Sequence, residues 1–215
     1  MRRLLTTLTT LTLAAALTVP VAGAQDLFDG GRIGGGSSQL IPPGLSLPGG
    51  ELPETDQAVD LERYSGQWYQ VAALPQPYTL QCARDTTAEY GVIDESTISV
   101  RNACGTLVGP GSVIEGTASV RSDASLRVNF PGVPFQDENG PVNYRVTHLA
   151  EDYSLSVVGD PNRLSGFVLS RTPNLSAEQW SQVRGIVESR GWNSCTFLTV
   201  PMAGGRGDVA PLCTL

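Results

Sequence analysis

Between residues 67 and 170 the chain holds eight short runs rich in β-branched and aromatic residues, separated by turn clusters, and in several of them apolar residues alternate with polar ones. Such a period of two marks strands with one dry face and one wet face. The runs are 67–74, 86–92, 97–102, 112–120, 125–130, 142–149, 153–158 and 166–170. In the third, Ile98, Val100 and Asn102 share one face while Ser99 and Arg101 share the other. In the fifth, Leu126, Val128 and Phe130 alternate with Arg127 and Asn129. Eight closely connected strands tend to close on themselves, because closure removes the exposed edges. The expected fold is all-β, an eight-stranded up-and-down antiparallel barrel.

One helix follows the strands. Ser176 with Gln179 three residues later has the spacing of a capping box. Trp180, Val183 and Val187 then fall on one stripe, and Gly191 is a natural C-terminal stop. The stripe predicts a C-terminal helix packed on the outside of the barrel wall.

The flanks are different in kind. Residues 1–24 carry Arg2 and Arg3, an apolar run, and Ala22-Gly23-Ala24, which is the pattern of a cleaved export signal. No cysteine follows that site to accept a lipid anchor, so a secreted, extracytoplasmic protein is expected. Residues 25–58 hold eight glycines and four prolines and are expected to be a disordered linker. The strands and helix lie in a domain over 59–202, and 203–215 form a tail.

Charge narrows the function. All 14 basic residues are arginines, against 21 acidic ones, for a net charge of -7; removal of Arg2 and Arg3 takes this to -9. Without lysine there is neither Schiff-base chemistry nor a Walker-type phosphate loop. The acidic balance lacks a footprint for nucleic acid. The scattered cysteines do not have zinc-finger spacing, and no cofactor or metal is called for. A neutral or weakly anionic ligand is easier to hold than a highly charged one.

Val59-Asp60-Leu61-Glu62-Arg63-Tyr64-Ser65-Gly66-Gln67-Trp68-Tyr69 resembles the entry motif of lipocalins, with its G-x-W core. The resemblance is closest to the branch of bacterial outer-membrane lipocalins and apolipoprotein D. Asp152-Tyr153 matches the second motif of that family, and Leu169-Ser170-Arg171-Thr172-Pro173 matches the third, in the same order and ahead of a helix. The resemblance implies a lipocalin barrel that carries fatty acids, lysophospholipids, sterols, retinoids or pigments. Physically, Trp68 can plug one barrel end, Arg171 can stack on its indole and bond the entry-turn carbonyls, and Gly66 leaves room for that approach. Gly66, Trp68, Asp152, Tyr153 and Arg171 are therefore read as structural.

Function in such a barrel lies inside it. Alternation nominates Gln70, Ala72, Leu74, Ala88, Tyr90, Ile98, Val100, Asn102, Leu126, Val128, Phe130, Tyr144, Val146 and His148 as cavity residues, with Tyr78 from the long loop after the first strand. Their balance suits a small hydrophobic or amphipathic ligand, delivered from a membrane surface to a monomer or weak dimer. The alternative is an enzyme or scavenger, acting in haem, redox or isomerase chemistry through His148 or a free cysteine. A hairpin of the second and third strands sets Cys82 opposite Cys104, leaving Cys195 to pair with Cys213. The apolipoprotein D branch implies instead that Cys82 is tied to Cys213, with Cys104 joined to Cys195.

Overall fold

Each connection returns the chain antiparallel beside its predecessor; the third run buries Ile98 and Val100 alternately, whereas residues 125–128 and 156–159 are buried without a break. The computed structural model describes residues 50–77, 80–134 and 136–215. Its strands are β1 (Gly66–Ala73), β2 (Arg84–Asp94), β3 (Thr97–Gly105), β4 (Ser112–Val120), β5 (Ser125–Asn129), β6 (Tyr144–Leu149), β7 (Leu155–Gly159) and β8 (Gly166–Ser170). They neighbour one another in sequence from β2 to β8, β8 pairs with β1, and β1 pairs with β2. The barrel is closed, as the alternation predicts. Because strand directions alternate, the β1–β2, β3–β4, β5–β6 and β7–β8 connections lie at one end. The β2–β3, β4–β5 and β6–β7 turns lie at the other.

The weakest seam is between β5 and β6, which pair only through Ser125↔Arg145 and Leu126↔Tyr144. Beyond them the Asn143 side chain takes the place of a backbone partner. Its Oδ1 accepts from Val128 N at 2.8 Å, and its Nδ2 donates to Val128 O at 2.9 Å.

The end with the short turns is sealed by α1 (Leu61–Tyr64), a four-residue helix not expected from the sequence. Asp60 caps it, accepting from Glu62 N and Arg63 N. The helix drops Tyr64 into the barrel beside Trp68, with ring centroids 5.0 Å apart. Arg171 lies over the Trp68 indole at 3.9 Å. Its Nη2 donates to Arg63 O and Ser65 O, and its Nη1 to Gln67 O. Asp152 accepts from Ser154 in the β6–β7 turn. The Tyr153 hydroxyl accepts from Asp60 N, and Arg63 stacks on the Tyr153 ring at 3.9 Å. The expected reason for Gly66 needs correcting. A Cβ there would meet Arg171 Nη1 at an ordinary 3.5 Å, but the backbone has φ +90°, a region that favours glycine.

A second core lies outside the barrel. α2 (Ala177–Ser189) has the full Ser176–Gln179 capping box, and Trp180, Val183 and Val187 are its buried face. They pack with Val71, Ala72, Val157 and Val168. Gly159 and Gly166 face each other in register. A Cβ on Gly159 would come within 2.6 Å of the Trp192 ring, and one on Gly166 within 2.5 Å of the Phe197 ring. The two glycines thus form a flat shelf for those aromatics. β9 (Leu198–Thr199), also not expected, pairs with β1 at Ala72 and Ala73. The chain beyond it bonds to β2, where Asp85 N donates to Pro201 O.

The disordered linker expected over 25–58 does not reach residue 58. From residue 50 the chain is packed on the barrel: Leu52 is fully buried in the outer core. Leu52 N donates to Pro161 O, Thr55 N to Val146 O, and Gln57 Nε2 to Leu149 O. Apolar and polar anchors override the Gly/Pro composition here. The export signal and the rest of the linker lie outside the described residues. Among the described residues no helix is long and apolar enough to cross a membrane. The cysteines pair as Cys82–Cys104 and Cys195–Cys213.

Candidate ligand-binding cavity

Residues directly opposite on paired strands share a face, so register assigns the interior. Ala88, Asn102 and Ile114 form one inward row, and Tyr90, Val100 and Gly116 the next. Below them come Val92, Ile98, Ala118 and Val128, then Val120 and Leu126, the latter paired with Tyr144. Val146 pairs with Val158, and Val158 with Phe167. Ser156 faces Leu149 and Leu169, and Leu169 faces Gln70. Of the predicted cavity residues, Gln70, Ala88, Tyr90, Ile98, Val100, Asn102, Leu126, Val128, Tyr144 and Val146 are on this inner face. Phe130, just past β5, packs against the same core.

Three predicted positions are corrected by β-bulges. In β1 the register slips between Gln70 and Ala72. Ala72 therefore pairs with outward-facing Val168 and, with Leu74, packs into the outer core, while Ala73 pairs with inward-facing Phe167. In β6 it slips between Val146 and His148. His148 then stands opposite Val157, which belongs to the outer core. An extra residue in a strand inverts every later assignment to a face. His148 is partly buried outside the barrel, where desolvation and then the Arg190 charge hold its pKa below the ordinary value. Tyr78 lies outside the described residues.

The interior is filled at the α1 end. Trp68, Tyr64, Tyr90 and Tyr144 form a chain of ring contacts. The Tyr144 hydroxyl lies 2.8 Å from that of Tyr64 and 3.0 Å from that of Tyr90. Tyr64 also meets Ser156 Oγ at 3.1 Å, and Ser156 donates to His148 O at 3.3 Å. Burial pushes the Tyr64 phenol up to about 12, the hydrogen bonds from Ser156 and Tyr144 only partly offsetting it. The Tyr90 and Tyr144 phenols are raised too, chiefly by burial. All three are neutral at ordinary pH, so this layer is an uncharged floor.

Above the floor several large inner side chains are less enclosed. Phe130 and Phe167 are only partly buried, and Ile114 is 37% exposed although it faces inward. Asn102 Oδ1 is buried in this region with no hydrogen-bond partner among the described residues. The inner face has the outline of a cup: an aromatic base, apolar walls, and partly exposed side chains towards a rim at the end with the long loops. A concavity of about 400 Å³ lies at the α1 end beside Val59, Leu61, Tyr64 and Val120, and shares only Leu126 and Val146 with the predicted set.

Residues 59–202 match a family described as the lipocalin-like domain. The chain belongs to the lipocalin family. Among curated lipocalins, it is 32% identical over 137 residues to temperature-induced lipocalin-1 of Arabidopsis thaliana, covering 60% of this chain and 72% of that one. It is 31% identical over 168 residues to the outer membrane lipoprotein Blc of Vibrio cholerae, covering 76% and 93%. Among solved structures the cockroach major allergen Per a 4 shares the fold, with a TM-score of 0.57 at 12% identity, covering 72% of this chain and 95% of that one.

Sequence reasoning missed several lipocalin interior residues. Tyr64 sits on a helix too short to show a period, although its place four residues before Trp68 was a signal. Ile114, Gly116, Ala118, Ser156, Val158, Phe167 and Leu169 were readable from alternation in β4, β7 and β8. Ala73 was not readable, because nothing in the sequence marks the bulge before it.

Proposed function

We propose that this lipocalin binds and carries one small hydrophobic or amphipathic ligand, of the class of a fatty acid or lysophospholipid, in the open half of its barrel. The observation that carries this reading is the partial exposure of large apolar side chains on the inner face towards the long loops. Side chains on one inner surface pass from the sealed Trp68 and Tyr64 to the partly exposed Phe130, Phe167 and Ile114. An eight-stranded barrel has space for a single small ligand. The apolar tail packs on the walls, and Asn102 near the rim gives a polar group of the ligand a partner.

Binding fits the residues better than turnover. His148 faces away from the cup, and among the described residues there is no free cysteine to serve as an isomerase thiol. The export pattern of residues 1–24 and the two disulfides favour a site of action outside the cytoplasm. Nucleic acid is not a partner in this reading, and the working state is a monomer or weak dimer.

The test is titration with an environment-sensitive fatty-acid probe. Saturable binding is expected, displaced by unlabelled fatty acid and weakened more than tenfold by Ile114→Arg. Absence of saturable binding, or equal binding by Ile114→Arg, contradicts the proposal.

A further inference from the structure

The most exposed apolar side chains are concentrated at the open end. Leu80 of the β1–β2 loop is 81% exposed, and Leu107 and Val108 of the β3–β4 loop are 87% and 92% exposed. Val113 and Ile114, where β4 leaves that loop, are exposed as well. The β3–β4 tip is a defined turn: the Thr106 hydroxyl reaches Val108 O at 3.1 Å and Pro110 O at 2.9 Å, and Gly109 has φ +92°. The Cys82–Cys104 disulfide ties the roots of the two loops together. Neither residues 74–83 nor residues 105–114 contain a charged side chain. The charges that adjoin these stretches in sequence are paired: Arg84 with Asp85 at 3.4 Å, and Glu115 with Arg101 at 3.4 Å.

The geometry points to a membrane-docking rim: Leu80, Leu107 and Val108 insert into the surface of an electrically neutral lipid bilayer and set the mouth of the barrel against it. Separate apolar tips around an opening suit a bilayer, which accepts side chains one at a time. A stable protein partner needs a continuous face of roughly 800 Å², which two loop tips do not supply. Charge selects the kind of bilayer. Neither loop carries a cation to offer an anionic headgroup, and the chain as a whole carries -7, so anionic lipid repels it. Ile114, inward-facing yet exposed, joins the rim to the cup and gives a lipid leaving the bilayer an apolar path. The purpose of the rim rests on the proposed carriage, but its test does not.

The experiment is co-sedimentation of the protein with phosphatidylcholine vesicles, with and without phosphatidylglycerol, for the wild type and for a Leu107→Asp/Val108→Asp variant. Both side chains point into solvent, so the variant keeps the fold; an unchanged thermal transition and unchanged fatty-acid-probe binding without vesicles check this. Association with neutral vesicles is expected, insensitive to salt, no stronger when phosphatidylglycerol is added, and at least tenfold weaker in the variant. Should the variant unfold, Leu80→Asp alone must weaken association measurably. No association by the wild type, equal association by the variants, or salt-sensitive strengthening on anionic vesicles overturns the inference. So does a concentration-dependent dimer that the variant abolishes, which would assign the rim to a second copy. If vesicles bind and the probe does not, the rim stands and the carriage reading fails.

Discussion

The Arg171 guanidinium sits 3.9 Å over the Trp68 ring and at the same time ties the entry segment to the barrel through the carbonyls of Arg63, Ser65 and Gln67. The two ends of the barrel sequence, β1 and the residue just after β8, are thus held by one side chain. Trp68 is fixed from its other edge by donation from Nε1 to Tyr64 O at 2.8 Å.

Arg171→Ala therefore removes several charge-assisted hydrogen bonds and a cation–π contact. The expected loss is about 2–4 kcal/mol. Arg171→Lys keeps the charge but not the planar fork, and falls between the two. Urea denaturation of the three proteins checks the order.

The tyrosine floor predicts a stability limit at high pH. Tyr64 titrates at about 12 in the folded protein against 10.0 for the free group. A folded pKa raised above the unfolded one gives stability that is complete below about pH 10 and is lost as pH rises towards 12, roughly 3 kcal/mol for Tyr64 alone. Tyr90 and Tyr144 act in the same direction. Phenolate absorbance followed with pH should show the three hydroxyls ionising only as the barrel unfolds. Titration of all the tyrosines near pH 10 with the fold intact contradicts this.

His148 predicts the opposite flank. Its folded pKa lies below 6.5, so the unfolded chain binds the proton more readily. The contribution is complete above about pH 6.5 and is lost as pH falls through the folded pKa. His148→Asn should flatten the acid-side decline in stability while leaving fatty-acid-probe binding within about twofold of wild type. A large loss of binding would return His148 to the cup.

Closure, strand order, the helix and its cap were legible because alternation and capping are local patterns. The faces of β1 and β6 were legible only as far as Gln70 and Val146. A bulge depends on how two strands meet, and neither Val71 nor Thr147 is a glycine or proline that would flag one. Thr147 is fully buried and its hydroxyl has no hydrogen-bond partner among the described residues. The packing of residues 50–58 was hidden for a similar reason. Leu52, Thr55 and Gln57 are anchors only because Pro161 O, Val146 O and Leu149 O, about ninety or more residues away, leave carbonyls free for them. Composition reports none of this. The Gly159–Gly166 shelf likewise has meaning only once Trp192 and Phe197 fold back over it.

The central claim is that the open half of the barrel holds a ligand. Native mass spectrometry of protein purified without organic solvent or detergent, then again after incubation with a fatty acid, tests it directly. A single adduct of lipid mass per chain is expected, absent in Ile114→Arg and retained in His148→Asn. A wild-type spectrum that shows only the mass of the bare chain, before and after incubation, would contradict it.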